Sequence, residues 1–209
     1  MKKLTLKIKN KVKLDKNLTI FLFVLLIIGI ISGSIFAGIL NESDKILVDQ
    51  HLNSFLTNIE VGQVDYFSIF KSNLISSLFN SIIIWLLGMS IIGIIVIVVM
   101  FFSSSFILGF TIGSVISTFG FKGCLFALIY SFPFEIINLL MLLILVMYAM
   151  SFSFKLIFSI FKKQTVNFKL IINRYTIILL ITLGINIINT LYNSYLMPNI
   201  IKSVINFIR

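Results

Sequence analysis

Charge is scarce in this chain. Only 11% of its 209 residues are Asp, Glu, Lys or Arg, against about 25% in soluble globular domains, which is too little to cover a water-facing surface. Acids are the scarcer sign, seven against seventeen Lys and Arg. A single cysteine, Cys124, excludes an intramolecular disulfide, a CxxC motif and a cysteine-rich zinc site. The one histidine, His51, lies near Asp49 without the partners of a triad or a zinc site. There is no G-x-S-x-G, no Gly-rich phosphate loop followed by Lys and no H-E-x-x-H. The residues therefore offer no catalytic group, no cofactor-binding set and no metal ligand set, and the expectation is a protein that is not an enzyme.

Long apolar runs take the place of charge. Hydrophobic residues make up 59% of the chain, in stretches long enough to cross roughly 30 Å of hydrocarbon as helices. The sequence predicts an all-α integral membrane protein with about five transmembrane helices, its first partner being membrane lipid. The formal charge of +10 does not indicate nucleic acid, because the lysines cluster at the chain start and in one later connection. That distribution encodes topology.

Residues 1–17 hold Lys2, Lys3, Lys7, Lys9, Lys11, Lys13 and Lys16 against Asp15, which predicts a cytoplasmic N-terminus. The first span, 18–40, lacks a small-residue cleavage site before a soluble domain and reads as a retained helix. Residues 41–73 form an acidic extracytoplasmic segment with Glu42, Asp44, Asp49, Glu60 and Asp65 against Lys45 and Lys71. Within it Ile46, Leu47, Leu52, Phe55, Leu56 and Ile59 recur at helical spacing and predict an amphipathic helix. Leu52, Phe55 and Leu56 are the candidate docking surface for a partner outside the membrane.

Residues 74–197 read as a four-span bundle. The second span covers 74–102, Ser103-Ser104-Ser105 makes a cytoplasmic turn, and the third span ends near Gly120. A short stretch, 121–132, is interfacial or re-entrant and stops at Pro133. The fourth span, 134–154, leads to Lys155, Lys162, Lys163, Lys169 and Arg174, a connection without acids that belongs in the cytoplasm. The fifth runs over 175–197, and the tail 198–209 is expected outside.

Three groups of residues within the spans stand out. Gly29, Gly33 and Ala37 share one face of the first span, and Ser105, Gly109, Gly113 and Ser117 one face of the third. Small residues at this spacing let helix backbones approach closely in lipid, within the bundle or against another protein. Thr182, Asn186, Asn189 and Asn193 form a polar stripe on the fifth span, which must face the bundle interior or a partner. Glu135 follows Pro133 and precedes Asn138 by one turn; a carboxylate at membrane depth is either functional or simply ends the span at an interface.

A resemblance to a known family lies in the order of short segments. A Lys-rich start leads through Asn17 and Phe21 into a Gly-bearing span, and the outer segment closes with Phe70-Lys71-Ser72-Asn73. Gly88, then Ile107-Leu108-Gly109-Phe110-Thr111-Ile112-Gly113, and finally Phe132-Pro133-Phe134-Glu135 follow. This order resembles stage II sporulation protein M over nearly the whole chain. The resemblance implies a multi-pass protein of the cell membrane in endospore-forming bacteria, located at the sporulation septum and engulfing membrane. It further implies two extracytoplasmic peptidoglycan-hydrolase partners, a lytic transglycosylase and an amidase/endopeptidase, and no catalytic residue in this subunit. The expected function is a non-enzymatic scaffold of that hydrolase complex in septal wall remodelling and forespore engulfment. The rival readings are a small permease or exporter membrane subunit, and a membrane protein of the same superfamily without a sporulation role.

Overall fold

The computed structural model describes residues 16–131, 134–162 and 168–208. The lysines of residues 2–13, Lys163 and Pro133 lie outside the described residues. Among the described residues seven helices follow one another: α1 (Lys16–Gly38), α2 (Glu42–Val61), α3 (Tyr66–Gly88), α4 (Gly93–Ser131), α5 (Phe134–Lys162), α6 (Phe168–Tyr195) and α7 (Met197–Ile208). No strand occurs among the described residues. Five stretches of the described residues are long and apolar enough to cross a membrane: Lys16–Gly38, Tyr66–Gly88, Gly93–Ile129, Phe134–Ile160 and Phe168–Ser203. The chain is an all-α, multi-pass membrane protein.

α1 packs most extensively against α4, while α3, α5 and α6 pack on one another. The main core draws Leu22 from α1, Ile84 from α3, Phe101 from α4, Leu145 and Val146 from α5 and Tyr175 from α6, all essentially inaccessible. Many large apolar side chains, among them Ile35, Phe79, Ile95 and Leu180, point outward instead, as expected where lipid is the solvent.

The turn between the second and third spans differs from the sequence expectation. Ser103, Ser104 and Ser105 lie inside α4, where Ser104 Oγ and Ser105 Oγ donate to the carbonyls of Met100 and Phe101, each at 3.0 Å. A serine that bonds back to the preceding turn sits in a helix without breaking it. The chain instead turns at residues 89–92, between Gly88 and Gly93. Ser153 Oγ on α5 donates across to the carbonyls of Gly88 at 2.6 Å and Ser90 at 3.1 Å, satisfying acceptors that a helix end leaves open. A Cβ at Gly88 would collide with the Tyr175 hydroxyl, and one at Gly93 with the Leu87 carbonyl. The second span correspondingly begins at Tyr66 rather than Leu74, and Asp65 caps it by accepting from the Ser68 N–H at 3.1 Å.

At Gly120 the backbone takes φ 59 and ψ −138, a conformation open essentially to glycine alone. Residues 121–131 fold back on the limb they follow: a Cβ at Gly123 would meet the Val115 carbonyl and lie 3.1 Å from Phe119 Cβ, and Phe119 and Phe126 pack edge to face. The stretch expected to be interfacial or re-entrant is thus a short helix folded against its own span. The tail after Pro198 is also a helix, α7, with its proline in the first turn, where a missing N–H costs no helical bond.

Candidate functional site

Two parts of the molecule carry polar or outward-facing residues that lipid contact does not explain: a layer at one end of the bundle and a seam within it. The layer consists of α2, residues 121–131 and α7. Glu42 and Asp44 in the first turn of α2 suit its N-terminal partial charge. Its end is closed by Gly62 at φ 77, where the Gln63 N–H reaches the Asn58 carbonyl at 3.0 Å. Leu56 and Ile59 from α2 pack with Val115, Phe126 and Ala127 of α4 and Met197 and Ile201 of α7 in a second apolar cluster, separate from the main core. Tyr66 stacks on Tyr195 beneath it.

This cluster corrects the expected docking surface. Leu56 is 1% exposed, Leu52 packs against the same cluster, and only Phe55 stays exposed. The apolar face of α2 is occupied by the protein's own α7 and α4. The face left outward carries Ile46, Leu47, Gln50, Asn53 and Ser54.

The small-residue faces of α1 and α4 meet each other. A Cβ on Gly29 would sit 2.6 Å from Ser105 Cβ, one on Gly33 would strike the Phe106 carbonyl, and one on Gly109 the Ile30 carbonyl. A Cβ on Gly113 would come within 2.8 Å of Ser34 Cα and 3.0 Å of Ala37 Cβ, while Ser34 Oγ donates to the Gly109 carbonyl at 2.9 Å. Ser117 lies beyond this seam, lining a small cavity with Ala37.

The polar stripe of α6 turns inward. Thr182, Asn186 and Asn189 are buried, as are Thr190 and Ser194, whereas Asn193 is half-buried. Asn186 Nδ2 donates to Ser81 Oγ of α3 at 3.1 Å, Asn189 Nδ2 to the Phe134 carbonyl at 2.9 Å, and Thr190 Oγ1 to the Asn186 carbonyl at 2.7 Å. The Asn189 bond ties α6 to the start of α5, whose first turn holds Glu135. Glu135 thus opens a helix at the α2 end of the bundle. Asn138 is half-buried one turn further. Sequence reading missed Ser81, Thr190, Ser194 and Ser153; Thr190 and Ser194 continue the Thr182–Asn186 spacing of four and were legible there.

The seam acts as packing glue of modest strength. Interhelical hydrogen bonds in membranes contribute about 0.6 kcal/mol on average, so Ser81→Ala should lower the melting temperature in detergent by a few degrees and leave membrane accumulation unchanged. Thermal denaturation of the purified protein checks this.

A sequence model described as stage II sporulation protein M matches residues 21–198. Among curated proteins and solved structures no match was found. The family match takes in most of each of the five apolar stretches, the α1–α4 seam and α2 with residues 121–131, and on that ground the chain belongs to the stage II sporulation protein M family, a family of sporulation-related membrane proteins.

Proposed function

We propose that this protein is a non-enzymatic membrane scaffold that holds peptidoglycan hydrolases, a lytic transglycosylase and an amidase/endopeptidase, at the sporulation septum and engulfing membrane. The supporting observation is the layer of α2, residues 121–131 and α7. It is folded on its own apolar cluster at one end of the bundle and leaves Ile46, Leu47 and Gln50 of α2 outward. A docking platform needs such rigidity, because ordering a loose segment at the moment of binding opposes association. The charge distribution supports an extracytoplasmic position for this end: Glu42, Asp44, Glu60 and Asp65 outnumber Lys45, Lys122 and Lys202 here, whereas Lys16, Lys155, Lys169 and Arg174 lie toward the opposite end without an acid among them. The burial of the polar seam, with Asn186 and Asn189 bonded across to α3 and α5, supports bundle packing over a permease path.

The orientation is the testable condition. Ser43 at the start of α2 and Ser203 on α7 are exposed, and so is Cys124. With Cys124 replaced by serine, Ser43→Cys and Ser203→Cys should both react with a membrane-impermeant thiol reagent in intact cells. Reaction only after lysis would place the layer in the cytoplasm and end the proposal.

A further inference from the structure

Where α1, α2 and α4 meet, a cavity of about 10 Å³ is lined by Ala37, Lys45, Asp49, Ser114, Ser117 and Thr118, among others. Roughly that much space, with two to four polar partners, is what one buried water needs. Asp49 of α2 is half-buried and accepts from the Thr118 hydroxyl of α4 through Oδ1 at 2.6 Å, which leaves acceptor positions on the carboxylate for a further donor. Ser114 stands one turn earlier on α4. It is 5% exposed, and its Oγ has no partner among the described protein atoms. Other hydroxyls of the same helix, Ser104, Ser105, Thr111 and Thr118, reach the carbonyl four residues earlier. Ser114 does not, although shutting an unbonded hydroxyl away from water is costly.

We propose that this cavity binds one water molecule, which donates to the Asp49 carboxylate and pairs with the Ser114 hydroxyl, joining α2 to α4. A metal cation fits the site less well, because Lys45, one turn before Asp49, lines the same cavity and brings a positive charge to it. The bridge lies beside the Thr118–Asp49 bond and just beyond Gly113, where α1 and α4 touch. Together with the apolar cluster around Leu56 and Ile59, the two links hold the rotation of α2 on the bundle.

The test is a double-mutant cycle on the full chain in detergent, with Ser114→Ala, Asp49→Ala and both together. Ser114→Ala should lower the melting temperature by about 2–4 °C alone, and by clearly less when Asp49 is already alanine, because the water has then lost its anchor. An unchanged or raised melting temperature for Ser114→Ala overturns the site, since it means that the hydroxyl was unbonded. Strict additivity of the two substitutions does the same. The wild-type melting temperature should be equal in sodium, potassium and choline chloride at one ionic strength. Stabilisation by one alkali cation, lost in Asp49→Ala, would identify a cation as the occupant and refute the water.

Discussion

Gly33→Leu and Gly109→Leu should each abolish accumulation of the folded protein. At Gly33 even a methyl group would fall on the Phe106 carbonyl, and at Gly109 on the Ile30 carbonyl. Backbone atoms cannot swing aside as a flexible side chain can, so α1 and α4 would have to separate along their whole contact. Lipid supplies no hydrophobic drive to re-form that contact further apart, because helix association in a bilayer rests on close packing. The Ser34–Gly109 hydrogen bond would go with it. The expected cost exceeds about 4 kcal/mol, beyond the common range for single substitutions. Gly184 is the control: nothing lies within 4 Å of where its Cβ would be, so Gly184→Leu should accumulate as wild type. Immunoblots of membrane fractions, with thermal denaturation of whatever is recovered, make the comparison. Normal levels of Gly33→Leu would mean that the seam is not the contact that holds α1.

The second large effect lies in the layer around α2. Leu56→Asp should detach α2 from the bundle while the spans remain inserted. Leu56 is packed among Phe126, Met197 and Ile201, and truncation of a buried leucine alone costs about 2–5 kcal/mol. A carboxylate adds the cost of burying a charge without a partner. Leu47, 56% exposed on the same helix, should tolerate Leu47→Asp within about 0.5 kcal/mol. Limited proteolysis reads the difference: α2 should be cut rapidly in Leu56→Asp and stay protected in Leu47→Asp, with both proteins at equal membrane levels.

Much of this architecture was legible in the sequence because lipid imposes strong rules. Apolar runs had to be helices, and small residues at spacing four on α1 and α4 had to find a close neighbour, which each proved to be for the other. The boundaries were less legible. Serines at 103–105 look polar in a string of letters, but three-dimensionally Ser104 and Ser105 are satisfied by their own helix. The true turn at 89–92 is nearly as apolar as its flanks, and its stabilising donor, Ser153, comes from a different helix. The apolar face of α2 was read as open for a related reason. An amphipathic helix announces that one side is covered without saying by what, and the cover here is α7, which looked like a tail. Glu135 and the α6 stripe were found as polar residues in an apolar region, but only the structure shows that Asn186 and Asn189 bond to Ser81 and Phe134 of neighbouring helices.

The central claim, that the outward layer holds extracytoplasmic hydrolases, is tested most directly by paired purification from sporulating cells in mild detergent. One set of variants changes the outward face of α2, Ile46→Ser with Leu47→Ser. The other changes the seam and the start of α5, Asn186→Ala with Glu135→Gln. Membrane levels are matched by immunoblot, and the co-purified proteins are identified by mass spectrometry. The scaffold account predicts that the wild type and the seam variant bring down a lytic transglycosylase and an amidase/endopeptidase, and that the α2 variant loses both. Retention of the hydrolases by the α2 variant together with their loss from the seam variant would contradict it.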